Sequence, residues 1–185
     1  MFPRPRRDDP HLLVVRMTGV RMGDRVVQVG CAHGGRLAAV ASKVGLSGRA
    51  VVVVADEGSA ARARKAVENA GVLVDIETSP TPILPLESNA FNLVVVDDTG
   101  GLLTSMPAGD RVATFREALR VLRPGGRIVV IGAAARGGFG ALFSRASSTP
   151  PFDPSPSLEA DGFKQVRTLA EKDGLVFFEG VKPKA

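Results

Sequence analysis

The stretch "DRVVQVGCAHGGRLAAVASKVG" (residues 24–45) decides the fold. Its first part, "DRVVQVG", is β-branched and nearly unbroken in its apolar residues, the pattern of a strand buried on both faces. A glycine-rich turn follows, and then a helical stretch that stops at Gly45, a residue suited to ending a helix. Strand, glycine turn and helix together form the unit with which many α/β proteins hold a nucleotide. Where the best-known turns of this kind carry an acid and a central glycine, this one has Gln28 and Ala32.

The same alternation continues outward. "AVVVVAD" (50–56), "VLVDIET" (72–78), "FNLVVVDD" (91–98) and "GRIVVIGA" (126–133) read as further buried strands. "SAARARKAVENAG" is a helix ending at Gly71. "DRVATFREALRVLRPGG" is another, with Val112, Phe115, Leu119 and Leu122 on one face, Asp110 as its N-cap and Pro124 as its stop. "HLLVVRM" reads as a short leading helix. Strands alternating with helices imply parallel pairing through right-handed crossovers, hence a three-layer, doubly wound α/β domain. At 185 residues the chain reads as one domain. Residues 1–10, rich in Arg and Pro, read as a mobile arm, and 136–157, rich in Gly, Ser and Pro, as a loop at the ligand-binding edge. The tail gives a short helix and two strands turned at "KDG".

Composition removes several function classes. The apolar runs fall short of the roughly 20 residues that span a bilayer, and the amino terminus lacks a signal-peptide core, so no membrane span or secretion is expected. One cysteine cannot form an internal disulfide, which fits a reducing cytoplasm. Residues 1–50 hold nine Lys and Arg against three Asp and Glu, whereas residues 51–100 hold three against eight. With no Trp or Tyr for base stacking, the net +5 reads as a solvated arginine-rich surface, and no nucleic-acid partner is expected. One Cys and two His offer no metal-ligand spacing. The oligomeric state, homomeric or heteromeric, is open.

From about residue 22 the chain resembles the class I S-adenosylmethionine-dependent methyltransferases, above all the small-molecule enzymes related to quinone pathways. "GDRVVQVGCAHGG", "FNLVVVDD", "EALRVLRPGGRIVVIG" and the closing "LEADGFKQVRTLAEKDGLVFFEG" carry the likeness, and "RVLRPGG" is its most specific piece. The resemblance implies a seven-stranded, mostly parallel sheet with an antiparallel last strand, S-adenosylmethionine as cofactor and a small-molecule substrate.

Carried over position by position, Gly30 and Gly34 match the loop around the cofactor's methionine part, with Cys31, Ala32 and His33 between them. Gln28 occupies the place of the family's first acid. The ribose acid falls by spacing at Val54, so Asp56 or Glu57 either replaces it or is simply a helix-start acid. The adenine acid falls at Ser79 or Pro80, and the usual Phe-Asp pair reads Phe91-Asn92. Asp97 and Asp98 end the fourth strand, where one could face the cofactor's sulfonium, act as a base or bind a metal, or both could cap the following turn. His33 could donate to the cofactor's carboxylate, serve as a base or be solvated. Cys31 reads as a small residue filling the bend. No catalytic constellation is assigned. Two rival readings stand beside methyl transfer: a catalytically silent protein of the same fold, and a nicotinamide-dinucleotide oxidoreductase using Gly30, Ala32 and Gly35 with Asp56.

Overall fold

The computed structural model describes residues 11–80, 82–134 and 152–184. Seven strands, β1 (Arg25–Val29), β2 (Arg49–Val54), β3 (Asp75–Thr78), β4 (Phe91–Asp97), β5 (Leu122–Ala133), β6 (Lys164–Lys172) and β7 (Leu175–Val181), form one sheet in the order β3-β2-β1-β4-β5-β7-β6. β1 through β5 pair in parallel, and β7 runs antiparallel to both of its neighbours. This is the expected mostly parallel, seven-stranded arrangement. It differs from the dinucleotide-binding order 3-2-1-4-5-6, so the topology does not favour the oxidoreductase reading.

Alternating side chains divide the core into two sides. Val27, Val29, Val51, Val53, Val94 and Val96 face Leu103 of α4 (Leu102–Ser105), Phe115 and Ala118 of α5 (Ala108–Val121) and Leu158 of α6 (Ser155–Ala160). On the opposite side, Val26, Val95 and Val129 meet Val14 of α1 (Leu12–Thr18) and Val40 of α2 (Gly34–Val44). Val52 and Val54 there meet Leu37 and the alanine face of α3 (Glu57–Ala70). Each fully buried valine of this kind contributes roughly 1.5–3 kcal/mol, which is why the strands read as continuous apolar runs.

Several boundaries differ from the sequence reading. α5 begins at Ala108 behind Pro107, so Asp110 lies in the first turn rather than at the N-cap. The helix ends at Val121, and Leu122 already pairs with Phe91, so the strand starts before Pro124. The buried face of α5 is Thr114, Phe115, Ala118 and Val121, rotated from the expected one. The turn "RPGG" is therefore an irregularity inside β5, with Gly125 at φ +76° and the register shifting between Phe91 and Leu93. Lys182 secures it: its ammonium donates to Leu119 O, Leu122 O and Asn89 Oδ1, each at 2.7 Å. The hairpin at Asp173-Gly174 has both residues at positive φ, as a tight I′ turn requires. Residues 1–10, read as an arm, and most of 136–157 lie outside the described residues, while 155–157 belong to α6.

Candidate functional site

The carboxyl ends of β1, β2 and β4 define the site. Gly30 leaves β1 at φ +80°, a backbone region that favours glycine, and a Cβ there would stand 2.8 Å from Leu102 Cδ2 and 3.4 Å from Asp97 O. Gln28 is buried beneath the loop and donates from Nε2 to Gly30 O at 2.9 Å. The amide thus does structural work in the acid's place. Ala32 lies outside the positive-φ residues, so its methyl brings no backbone strain. Space for it comes from Gly100, where a Cβ would meet the Ala32 Cβ at 3.2 Å.

The next two glycines serve packing. A Cβ on Gly34 would fall 2.4 Å from Ala66 Cβ, so this glycine lets α2 and α3 cross closely. A Cβ on Gly35 would fall 2.4 Å from His11 Nε2, so Gly35 makes room for that ring. His33 precedes α2 without a side-chain cap, and its exposed ring lies 5.1 Å from that of His11.

The electrostatic centre of the edge is Asp97, 1% exposed at the end of β4. Its Oδ2 accepts the His33 backbone N–H at 3.3 Å. Its Oδ1 accepts Thr99 Oγ1 at 2.7 Å, Thr99 N at 3.3 Å and Arg36 Nη2 at 3.4 Å. Arg36 also donates to Thr99 Oγ1, and its Nε is buried without a partner among the described residues. From α3, Arg62 Nη1 donates to Cys31 O at 2.7 Å. Arg36, Arg62 and Thr99 were not singled out by sequence. Cys31 is buried, and burial followed by the charge of Asp97 pushes its thiol up, against Arg62 and Arg36, so it remains a thiol rather than a nucleophile.

Asp98 is also buried and caps the following turn, accepting Leu103 N–H at 2.6 Å. Burial pushes its carboxyl up, and the neighbouring Asp97 charge adds to this against the Leu103 hydrogen bond.

The end of β2 is different. The strand stops at Val54, which is 1% exposed and packed among Leu37, Ala60 and Ala63. The chain bends at Ala55 and Asp56, so Asp56 does not repeat the orientation of Val54 as strand alternation would require. Asp56 is exposed and caps α3, accepting Ser59 N at 2.8 Å and Ser59 Oγ at 2.9 Å. These bonds hold its carboxyl below the ordinary range. Glu57 pairs with Arg64 at 3.3 Å on the exposed surface of α3. Ser79 is buried beside β2, its N–H bonded to Val54 O at 2.9 Å. Asn92 lies at the opposite edge: it sits at the start of β4, and its Oδ1 accepts Arg25 N–H at 2.9 Å. Its loss of charge therefore does not bear on the pocket. Among the described residues no cluster of three or more metal-ligating side chains occurs, and no helix is long and apolar enough to cross a membrane.

Residues 26–126, more than half of the chain, match the family described as "Methyltransferase domain". The chain belongs to this methyltransferase family. It is 28% identical over 116 residues to the ubiquinone/menaquinone biosynthesis C-methyltransferase UbiE of Cronobacter sakazakii, covering 62% of this chain and 44% of that one. It is 30% identical over 118 residues to the methyltransferase GfsG of Streptomyces halstedii, covering 64% and 41%. The matched stretch thus takes in less than half the length of either relative. A SAM-dependent methyltransferase from Aquifex aeolicus has the same fold, with a TM-score of 0.74 at 20% identity over 97% of this chain and 94% of that one.

Membership of the methyltransferase family implies S-adenosylmethionine as cofactor of the domain. Its methionine end fits the residues at β1 and β4: a turn opened by a positive-φ glycine, a helix start without a side-chain cap, and a buried guanidinium N–H without a partner among the described residues. The ribose end fits less well, because an apolar side chain occupies the acid's position and the next carboxylate is engaged in capping.

Proposed function

We propose that this domain binds S-adenosylmethionine across the carboxyl ends of β1, β2 and β4 and transfers its methyl group to a small molecule. The observation that carries this reading is the loop from Gly30 to Gly34, tied at His33 to the buried Asp97. The cofactor supplies an electrophilic methyl group on a sulfonium. Gln28, Gly30, Cys31, Ala32, His33 and Gly34 shape the turn around its methionine end, and Asp97 fixes that turn. Asp56 and Glu57, at the end of β2, are the residues that would meet the ribose. Methyl transfer depends chiefly on in-line positioning, which a rigid turn provides without a dedicated acid–base pair. The small-molecule relatives support a small substrate, and the single buried thiol supports a reducing compartment such as the cytoplasm.

Titration calorimetry with S-adenosylmethionine and its demethylated product tests the reading. Heat with a dissociation constant below the millimolar range is expected. No heat and no thermal shift at millimolar ligand would leave the second reading, a catalytically silent methyltransferase-fold protein. The observation in favour of that alternative is the apolar burial of Val54 where the ribose acid belongs.

A further inference from the structure

We infer that Leu102 plugs the turn between β1 and α2, and that a ligand seats there only after displacing it. The inference rests on the cofactor reading above and concerns how that site opens. Leu102 is the first residue of α4, the short helix that follows β4. Its side chain crosses back onto β1: a Cβ on Gly30 would stand 2.8 Å from Leu102 Cδ2 and 3.4 Å from Asp97 O. The space that Gly30 leaves between the turn and the end of β4 is thus filled by the chain's own methyl groups. Two residues earlier, a Cβ on Gly100 would meet Ala32 Cβ at 3.2 Å. The segment that leaves β4 therefore lies against both Gly30 and Ala32, two of the residues that shape the turn.

The segment is anchored unevenly. Leu103 is fully buried, its N–H bonds to Asp98 Oδ1 at 2.6 Å, and its carbonyl accepts Arg111 Nη1 at 3.2 Å. The Leu102 side chain is only half-buried, at the margin of the core that encloses Leu103. Ahead of it stands Gly101, at φ +76° with nothing within 4 Å of a Cβ there, so the chain can turn at this point without collision. Leu103 thus keeps α4 in place while its neighbour swings out. A half-buried aliphatic group exposes less apolar surface on moving than a core residue does, so the open state is a minor but accessible one. A ligand that binds only the open state shows an affinity reduced by the open fraction. The competing role for Leu102, a wall against which the ligand packs, predicts the opposite: its truncation would weaken binding.

The test is titration calorimetry and surface plasmon resonance on the full chain with S-adenosylhomocysteine, comparing the wild type with Leu102→Val and Leu102→Ala. Leu102→Val removes the methyl group that touches Gly30 at small cost to folding, and Leu102→Ala clears the niche. Leu102→Ala should bind about 3- to 10-fold more tightly, as for a wild-type open fraction of about 10–30%. Leu102→Val should fall between, and the gain should lie in the association rate. The melting temperature of the ligand-free variants should fall, because a core contact is lost. Stability and affinity then move in opposite directions, which a merely structural role would not produce. Unchanged or weaker binding by both variants, with the wild type still binding, overturns this inference alone and leaves the cofactor reading intact. Tighter binding with an unchanged association rate also overturns it. Binding by a variant where the wild type shows none at millimolar ligand supports both readings. No binding by the wild type or either folded variant at that concentration overturns the inference together with the cofactor reading.

Discussion

The joint end of β1 and β4 and the end of β2 lie side by side on one sheet edge, yet they are built in opposite ways. The first is polar and cross-linked: Asp97 gathers a loop N–H, a hydroxyl and a guanidinium at one buried point. The second is apolar: Val54 extends the core to the last residue of its strand, and the nearest carboxylate turns away to cap a helix. One end is thus held by a charged device and the other is given to packing. Loss of a motif residue therefore has no uniform meaning. Gln28 preserves the loop by a hydrogen bond, whereas Val54 removes a polar contact altogether.

The largest expected difference between the two ends comes from Asp97→Ala. It leaves Arg36 as a buried, unpaired charge, and breaking such a pair costs about 3–5 kcal/mol. Denaturant unfolding should show that loss, and a cost below about 1 kcal/mol would break the contrast drawn here. Gly30→Ala should follow, at about 2–4 kcal/mol, from its positive φ and the approach of Leu102. At roughly 2–4 °C per kcal/mol, its melting temperature should fall by about 4–16 °C.

At the β2 end, Asp56→Ala should cost only about 1 kcal/mol, the worth of an N-cap, and change affinity for S-adenosylhomocysteine less than about threefold. A tenfold loss of affinity would instead show Asp56 holding the ribose. The smallest effect concerns pH. The folded-state pKa of Asp98 is raised, so the protein is not penalised below the unfolded carboxylate range and loses stability as pH rises through the folded value. Asp98→Asn retains an oxygen for Leu103 N–H and removes that penalty. Its melting temperature should exceed the wild type's at pH 7, and the gain should vanish near about pH 4. A gain that persists in acid would show that the buried charge is not its cause.

The fold was legible because burial on both faces writes itself as unbroken valine runs, and because Gly45 and Gly71 mark helix ends without ambiguity. The site was legible only in part. Gln28 and Gly30 stand at fixed distances from a strand end, and counting finds them. Arg36 has no such spacing, since its partner Asp97 lies 61 residues away. One signal was nevertheless present: an arginine in a helix's first turn opposes the dipole and calls for a carboxylate or an anion. Asn92 departs from the family's Phe-Asp pair, yet strand direction removes it from the site. The first residues of a parallel strand lie at the opposite edge from the last, and Asn92 and Asp97 belong to the same strand.

Lys182 carries a consequence for the order of events during synthesis. The carbonyls of Leu119 and Leu122 wait for an ammonium 63 and 60 residues later in the chain. β7 also fills the place between β5 and β6, so β6 has no sheet neighbour until the hairpin closes. At about 5–20 residues per second, the ribosome exposes an unfinished α5–β5 junction and an open sheet edge for seconds before the last strand arrives. The interval ends with one late residue, and shortening the chain by that strand would make it permanent.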